Sequence, residues 1–503
     1  DVSLEPVMYR MKVHLFGAVS SPSCANMALK QTIQDNKDLF DHQVCEAIDQ
    51  NFYVDDFLKS MEECTQALSL AKDVVELCDK GGFRLTKWIS NDREMIASIA
   101  PEVRAARFQE LDIESDDLPQ DRALGVSWRV ETDSFGFRVQ SPALVPNTRR
   151  SILSVVSSLF DPVGFVTPFV LKAKSLLQTL CRQGLSWDEE VPIEILKEWE
   201  NWLQELKLLD TFTISRCIKP VGFGEIRSAQ IHHFSDASES GYGMVTYLRL
   251  VNREGRVHCM LLLSRARVNP LKKVTVPRLE LTAATVAVRL HEKLVKQLKY
   301  ACPDIYYWTD SMAVLRFIRN TTSRFHTFVA NRVSEIQEAT TSDQWRYVPS
   351  QENPADVVSR GLSANQLLKS KTWTRGPDFL WKEESEWPKQ LDIGPMSPDE
   401  PEVKRSKPGI NLGIISAKTD LMDRLLTHFS NWHKLKKAVA LLLIVRQRLM
   451  SWVSKRKLLE EELGERFPND IERATEVEDL MHKEKLLKKD TKFPTIDVAL
   501  LNE

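Results

Sequence analysis

The stretch "HFSDASESGYGMVTYL", residues 233–248, decides how this chain is read. An apolar run that begins at "AQIHHF" ends in a single carboxylate, Asp236, passes through small and polar residues, and resumes after Gly-Tyr-Gly as a second apolar run. This is the pattern of two strands joined by a short turn, with one charge left at the strand end. Alone, such an Asp is an ordinary solvated or capping residue. Three more carboxylates, however, stand at the boundaries of later elements. Glu280 lies near the start of a helical stretch just after Pro277, Asp310 ends the strand "IYYWTD", and Asp356 follows Asn-Pro at the start of a last short helix. Strand ends and helix starts of this kind converge in a mixed sheet with helices around it. Four gathered carboxylates raise one another's pKa unless cations neutralise them, and the suited occupants are hard divalent ions, two Mg²⁺ or Mn²⁺. Such an ion pair catalyses phosphodiester hydrolysis.

Outward from that stretch, the order after residue 226 is strand, strand ("GYGMVTYLRL"), strand ("VHCMLLLSRARV"), helix ("PRLELTAATVAVRLHEKLVKQL"), strand ("DIYYWTDS") and helix ("SMAVLRFIRN"). A further helix ("HTFVANRVSEIQEA"), a strand ("QWRYVP") and a short helix follow. His232, His233, Tyr242, Trp308 and Trp345 sit on these strands and read as core rather than as ligands or stacking platforms. Residues 1–100 alternate short apolar strands ("RMKVHLFG", "NFYVDDFLK", "FRLTKWIS") with helical stretches at "SSPSCANMALKQTIQ" and "ECTQALSLAKDVVELCDKGG", the latter stopped by Gly81 and Gly82. Strand-like alternation in "ALGVSWRVETDSFGFRV" precedes helical patterns from about 148 to 208, broken at "FDPVGFVTP". "DIGPMSPDEPEVKRSKPGI" is Pro-rich and charged, the composition of a linker, and residues beyond 413 read as amphipathic helices. The expected fold class is therefore multi-domain α+β, with bounds at 1–100, 101–225, 226–362, 363–412 (linker) and 413–503.

With 503 residues the chain exceeds one hydrophobic core, and 43% hydrophobic with 27% charged residues is the composition of a globular protein. The aliphatic run "AVALLLIV" is far shorter than the roughly 20 residues that span a bilayer, so an intracellular location, in a cytoplasmic particle or the nucleus, is expected. The eight cysteines form no C-x-x-C pair, which argues against a disulfide framework or a zinc site. The net charge of −2 hides a division: residues 227–362 hold 19 Lys and Arg against 12 Asp and Glu, a net of +7. A basic segment that carries its own carboxylates suits a polyanionic substrate handled by metal ions.

The words "HFSDASESGYGMVTYL", "PRLELTAA", "YYWTDSMAVL" and "ENPADVVSRG" resemble the four carboxylate motifs of the ribonuclease H domain of BEL/Pao-type LTR retrotransposons. By that resemblance Asp236 bridges both metals, Glu280 and Asp310 complete one ion's shell, and Asp356 helps to hold the other. The pattern departs in the loop "VPSQENPAD", which lacks the His that many ribonucleases H carry there. Proton transfer then falls to Glu352 or a water, or product release slows. "YVDD", with Tyr53, Asp55 and Asp56, resembles the metal-binding box of reverse transcriptases. "VHLFGAVSSPSCANMALK" resembles the preceding nucleic-acid contact motif, with Gly17, Ser21 and Pro22 at matching positions.

The resemblance implies a partial reverse transcriptase palm, a thumb- or connection-like region, a ribonuclease H-like domain, and a helical region ahead of a missing integrase. Asp1 does not match the upstream carboxylate that a polymerase site needs, so the expected working chemistry is cleavage of RNA in RNA–DNA hybrids. Expected partners are the hybrid and template/primer nucleic acid, with dimerisation or association with other pol products. The rival reading is a decayed or co-opted copy that binds nucleic acid or protein without catalysis.

Overall fold

The computed structural model describes residues 17–404 apart from 114, 124, 140–144, 146, 299–303, 395 and 398, together with positions 435, 436, 440, 443 and 450. Asp1, the expected strand "RMKVHLFG" up to residue 16, and nearly all of the expected helical region 413–503 lie outside the described residues. Every element with described bounds belongs to the first of two compact units, Asp1–Arg405. Among the described residues no helix is long and apolar enough to cross a membrane, and the cysteines are free thiols.

Three helices, α1 (Ser21–Asn36), α2 (His42–Asn51) and α3 (Cys64–Lys80), surround a small core of Leu29, Ile33, Val44, Ile48, Val74 and Leu77. Asp41 caps α2 by accepting from the Gln43 N–H at 2.8 Å, and Gly81 and Gly82 end α3 as the sequence predicts. "NFYVDDFLK" is not one strand. It folds back as a hairpin of β1 (Phe52–Tyr53) and β2 (Asp56–Phe57), closed by the Phe52–Phe57 ring pair at 5.1 Å. "FRLTKWIS" is likewise not a strand: Lys87 adopts φ +60°, which breaks the extended run, and Trp88 makes only an isolated bridge to Arg104. Short helices α4 (Arg93–Ala97) and α5 (Ala106–Gln109) follow. They lead to a four-stranded antiparallel sheet of β3 (Gln120–Ala123), β4 (Val126–Arg129), β5 (Ser134–Gly136) and β6 (Thr213–Ser215).

Helices α6 (Arg149–Ser158), α7 (Thr167–Arg182) and α8 (Ile193–Leu206) match the helical text from 148 to 208. The break "FDPVGF" is a turn built around Asp161, whose carboxylate accepts from the N–H groups of Gly164, Phe165 and Val166 at 2.8–2.9 Å. That turn lies along strand β9 (Val257–Val268), where Ser264 N–H donates to the Val163 carbonyl.

The main sheet adds β7 (Ile226–Ala237), β8 (Gly241–Asn252), β10 (Asp304–Thr309) and β11 (Trp345–Tyr347), in the order β11-β10-β7-β8-β9 among the described residues. β7, β8 and β9 are antiparallel; β10 runs parallel to β7, and β11 to β10. β8 is buried along its whole length, as a central strand covered on both faces must be. Side chains alternate between two cores. Phe234, Val245, Tyr247 and Trp308 join α6–α8 on one face, whereas Met244, Tyr307 and Trp345 join α9 (Val276–Val295), α10 (Met312–Arg319) and α11 (Thr327–Ala339) on the other.

Residues 363–412, expected as a linker, begin with folded chain. After α12 (Ala355–Arg360) come α13 (Ala364–Lys369) and α14 (Lys371–Arg375). Trp373, Phe379, Leu380 and Trp387 then pack into the first core. The buried Arg249 fixes this segment by donating to the Leu380 carbonyl at 2.7 Å and the Lys382 carbonyl at 2.9 Å.

Candidate active site

The four carboxylates of the main sheet stand where strands end and helices begin. Asp236 is the penultimate residue of β7 and pairs with Gly243 on β8. A Cβ at Gly243 would run into the Arg265 carbonyl and the Val358 side chain, so this glycine is what lets α12 lie flat on the sheet beside Asp236. Asp310 immediately follows β10, which lies next to β7, and Glu280 is in the first turns of α9. Asp356 is in the first turn of α12, where its charge also suits the helix dipole.

Their electrostatics show which of them are neighbours. Asp236 is only 6% exposed, and burial first, then the charges of Asp310 and Asp356, push its carboxyl up to about 7. Ser359, on α12 and fully buried, opposes the shift by donating its Oγ–H to Asp236 Oδ2. Glu280 is also raised, by burial and by the charge of Asp310, against a hydrogen bond from Ser311 Oγ at 2.6 Å. Asp310 accepts from Ser350 Oγ and, at 3.4 Å, from Asn353 Nδ2. Asp356 is paired with Arg360, one turn further along α12, at 2.7 Å. The structure thus brings Asp236 together with Asp310 and Asp356, and Glu280 with Asp310.

A hard, oxygen-only donor set with an uncompensated buried carboxylate suits Mg²⁺ or Mn²⁺ in its chemistry. In position, no three His, Cys, Asp or Glu side chains among the described residues are gathered tightly enough to ligate one ion as they stand. The oxygens are instead turned to serine hydroxyls, an amide and a guanidinium. Those partners, Ser311, Ser350, Asn353, Ser359 and Arg360, are absent from the sequence reading. Their signal is local all the same, since each lies within a few residues of one of the four carboxylates.

The remaining predicted residues lie elsewhere. Asp55 and Asp56 are exposed on the β1–β2 hairpin, with Tyr53 also exposed beside them. Val54 at the turn has φ +58°, a conformation that costs a β-branched residue on the order of 1–3 kcal/mol. Gly17 has φ +85°, and Ser21 and Pro22 open α1. The elements that carry or adjoin them, α1 and the β1–β2 hairpin, give Leu29, Ile33, Phe52 and Phe57 to the small helical core, and neither is a strand of the main sheet. His232 and His233 are fully buried, and burial holds both imidazoles well below their usual pKa. His233 donates to or accepts from Thr246 and His291 at 2.8 and 2.9 Å, which fits the core role expected of it.

Residues 148–311 match the family of the Pao retrotransposon-like RNaseH-like domain. The match begins at the N-cap of α6 and ends at Ser311, so it takes in Asp236, Glu280 and Asp310 but not Asp356. Among solved structures, the N-terminal RNase H domain of rv2228c from Mycobacterium tuberculosis, determined as a fusion with maltose-binding protein, is 12% identical. It is covered over 94% of its length by 26% of this chain, with a TM-score of 0.19. RNase H1 from the halophilic archaeon Halobacterium salinarum NRC-1 is 15% identical and covered over 97% of its length by 28% of this chain, with a TM-score of 0.18. No curated protein matches the chain.

Proposed function

We propose that this chain is a Pao-type retroelement nuclease that hydrolyses the RNA strand of RNA–DNA hybrids at the β7–β10–α12 site. The observation that carries the reading is that Asp236 and Asp310 stand at the ends of the adjacent parallel strands β7 and β10, both within the segment matched to a retrotransposon RNaseH-like domain, while α12, which carries Asp356 beyond that segment, is bonded to Asp236 through Ser359. Asp236, Glu280, Asp310 and Asp356 would hold the divalent cations. Such ions supply a more acidic water and stabilise the charge on the departing 3′ oxygen. The chain's own contribution is positional and electrostatic. Asp236 is kept in a buried, water-poor position by β8 and α12, and Ser359, Ser311 and Ser350 each aim one carboxylate. The loop at 349–354 has no His, and the exposed Glu352 is its own proton carrier nearest Asp356 in sequence. The net positive charge of residues 227–362 favours the phosphates of a hybrid over any particular base sequence.

Asp55 and Asp56 are proposed as the inherited carboxylate pair of a reverse transcriptase hairpin, and Gly17, Ser21, Pro22 and Tyr53 as former nucleic-acid contacts near it. The test is incubation of the full chain and Mg²⁺ with a hybrid, with duplex DNA and with single-stranded RNA, each strand labelled separately. Cuts in the RNA strand of the hybrid alone support the reading; uncut hybrid, or equal cutting of all three, refutes it.

A further inference from the structure

The loop before α12 does more than connect β11 to the last carboxylate. Asn353 is 4% exposed, and its side chain is used on both sides. Its Nδ2 donates to the Ser235 carbonyl at 3.3 Å and to Asp310 Oδ1 at 3.4 Å, while its Oδ1 accepts the Ala355 N–H at 3.1 Å. Ser235 immediately precedes Asp236, and Ala355 immediately precedes Asp356. One neutral amide therefore joins the strand end that carries Asp236, the carboxylate of Asp310 and the first turn that carries Asp356. From the same loop Ser350 gives Asp310 a second donor, and the Val348 N–H ties the loop to the Thr309 carbonyl at 3.2 Å.

Like charges drive the elements that bear them apart, and a buried amide whose donors and acceptor are all used cannot be exchanged for water without leaving groups unpaired. Resting on the nuclease reading above, we propose that Asn353, assisted by Ser350, is the positioning residue that holds the elements bearing Asp236, Asp310 and Asp356 together, on which capture of divalent cations by those carboxylates depends. Neither side chain is required to touch the substrate. Ser350 acts through Asp310, and Asn353 through Asp310 and the two backbones.

The test uses the full chain as wild type, Asn353→Ala, Ser350→Ala and Ser350→Thr. Mn²⁺ binding is measured by calorimetry, and hybrid cleavage is measured against Mg²⁺ concentration. Loss of a group that orients metal ligands costs roughly 10–100-fold in metal affinity, and that loss is expected for Asn353→Ala. A smaller loss is expected for Ser350→Ala, with recovery in Ser350→Thr, whose hydroxyl is retained. At saturating cation the KM for hybrid stays that of wild type. Ser350 is exposed, so its variants report even if Asn353→Ala does not fold. Wild-type Mn²⁺ affinity in both alanine variants overturns the inference while leaving the nuclease reading intact. A wild type that binds no Mn²⁺ removes both.

Discussion

Replacing Asp236 by Asn should make the metal-free protein more stable while removing its proposed activity. The carboxyl is pushed from 3.8 to about 7, first by burial and then by Asp310 and Asp356. Because the folded-state value is the higher one, the favourable contribution is that of the protonated form. It is fully present below about pH 4, is lost as pH rises towards 7, and stays lost above that. A displacement of that size corresponds to about 4 kcal/mol of charge burial at pH 8. Asn has the same shape, can accept from Ser359 as the carboxylate does, and carries no charge at any pH. Urea denaturation in EDTA at pH 4, 6 and 8 reads the difference. The two proteins should coincide at pH 4, and the Asn variant should lead by a margin that grows to pH 8 and approaches ~4 kcal/mol if the site does not relax. Added Mg²⁺ should then stabilise the wild type more than the variant. Equal stability at every pH, or a variant weaker than wild type at pH 8, would refute the claim that Asp236 is buried beside two like charges.

Gly243→Ala forces a Cβ against the Arg265 carbonyl and Val358, and should cost ~1–3 kcal/mol in thermal unfolding while lowering hybrid cleavage, because α12 and Asp356 must move. Unchanged unfolding and cleavage would mean that α12 does not rest on β8. Asp161→Ala leaves three backbone N–H groups without their acceptor and should destabilise by ~3 kcal/mol, with Asp161→Asn recovering part of that loss; circular dichroism melting of the three proteins decides. Glu280→Gln keeps an acceptor for Ser311 but removes the charge, so hybrid cleavage should fall by roughly 100-fold or more without loss of melting temperature.

The long elements of the main sheet are legible in the sequence because their apolar runs are long enough to show a period. "VHCMLLLSRARV" is β9 residue for residue, and the alternation in "IYYWT" separates Tyr307 on one face from Tyr306 and Trp308 on the other. Short elements lack that statistical support. The hairpin at Phe52–Phe57 has two residues per strand, and its turn depends on Val54 taking a conformation that a β-branched residue avoids. Helices α13 and α14 have six and five residues, and what fixes them is burial of Ala364, Leu367 and Trp373 in the first core, a tertiary fact hidden in mostly polar text. The same holds at the site. Its carboxylates stand out as charges at element boundaries, whereas the Ser359–Asp236 and Asn353–Ser235 bonds close only when residues more than a hundred positions apart meet.

The most direct measurement of the central claim is cleavage of a labelled RNA–DNA hybrid by the full chain in Mg²⁺, with Asp310→Asn as the paired variant. The variant retains the acceptor that Ser350 uses and removes one charge from the site. The account predicts RNA-strand cleavage by the wild type that vanishes with EDTA and falls by roughly 100-fold or more in the variant. Equal cleavage by the two proteins, or an intact hybrid with a well-folded wild type, would contradict it.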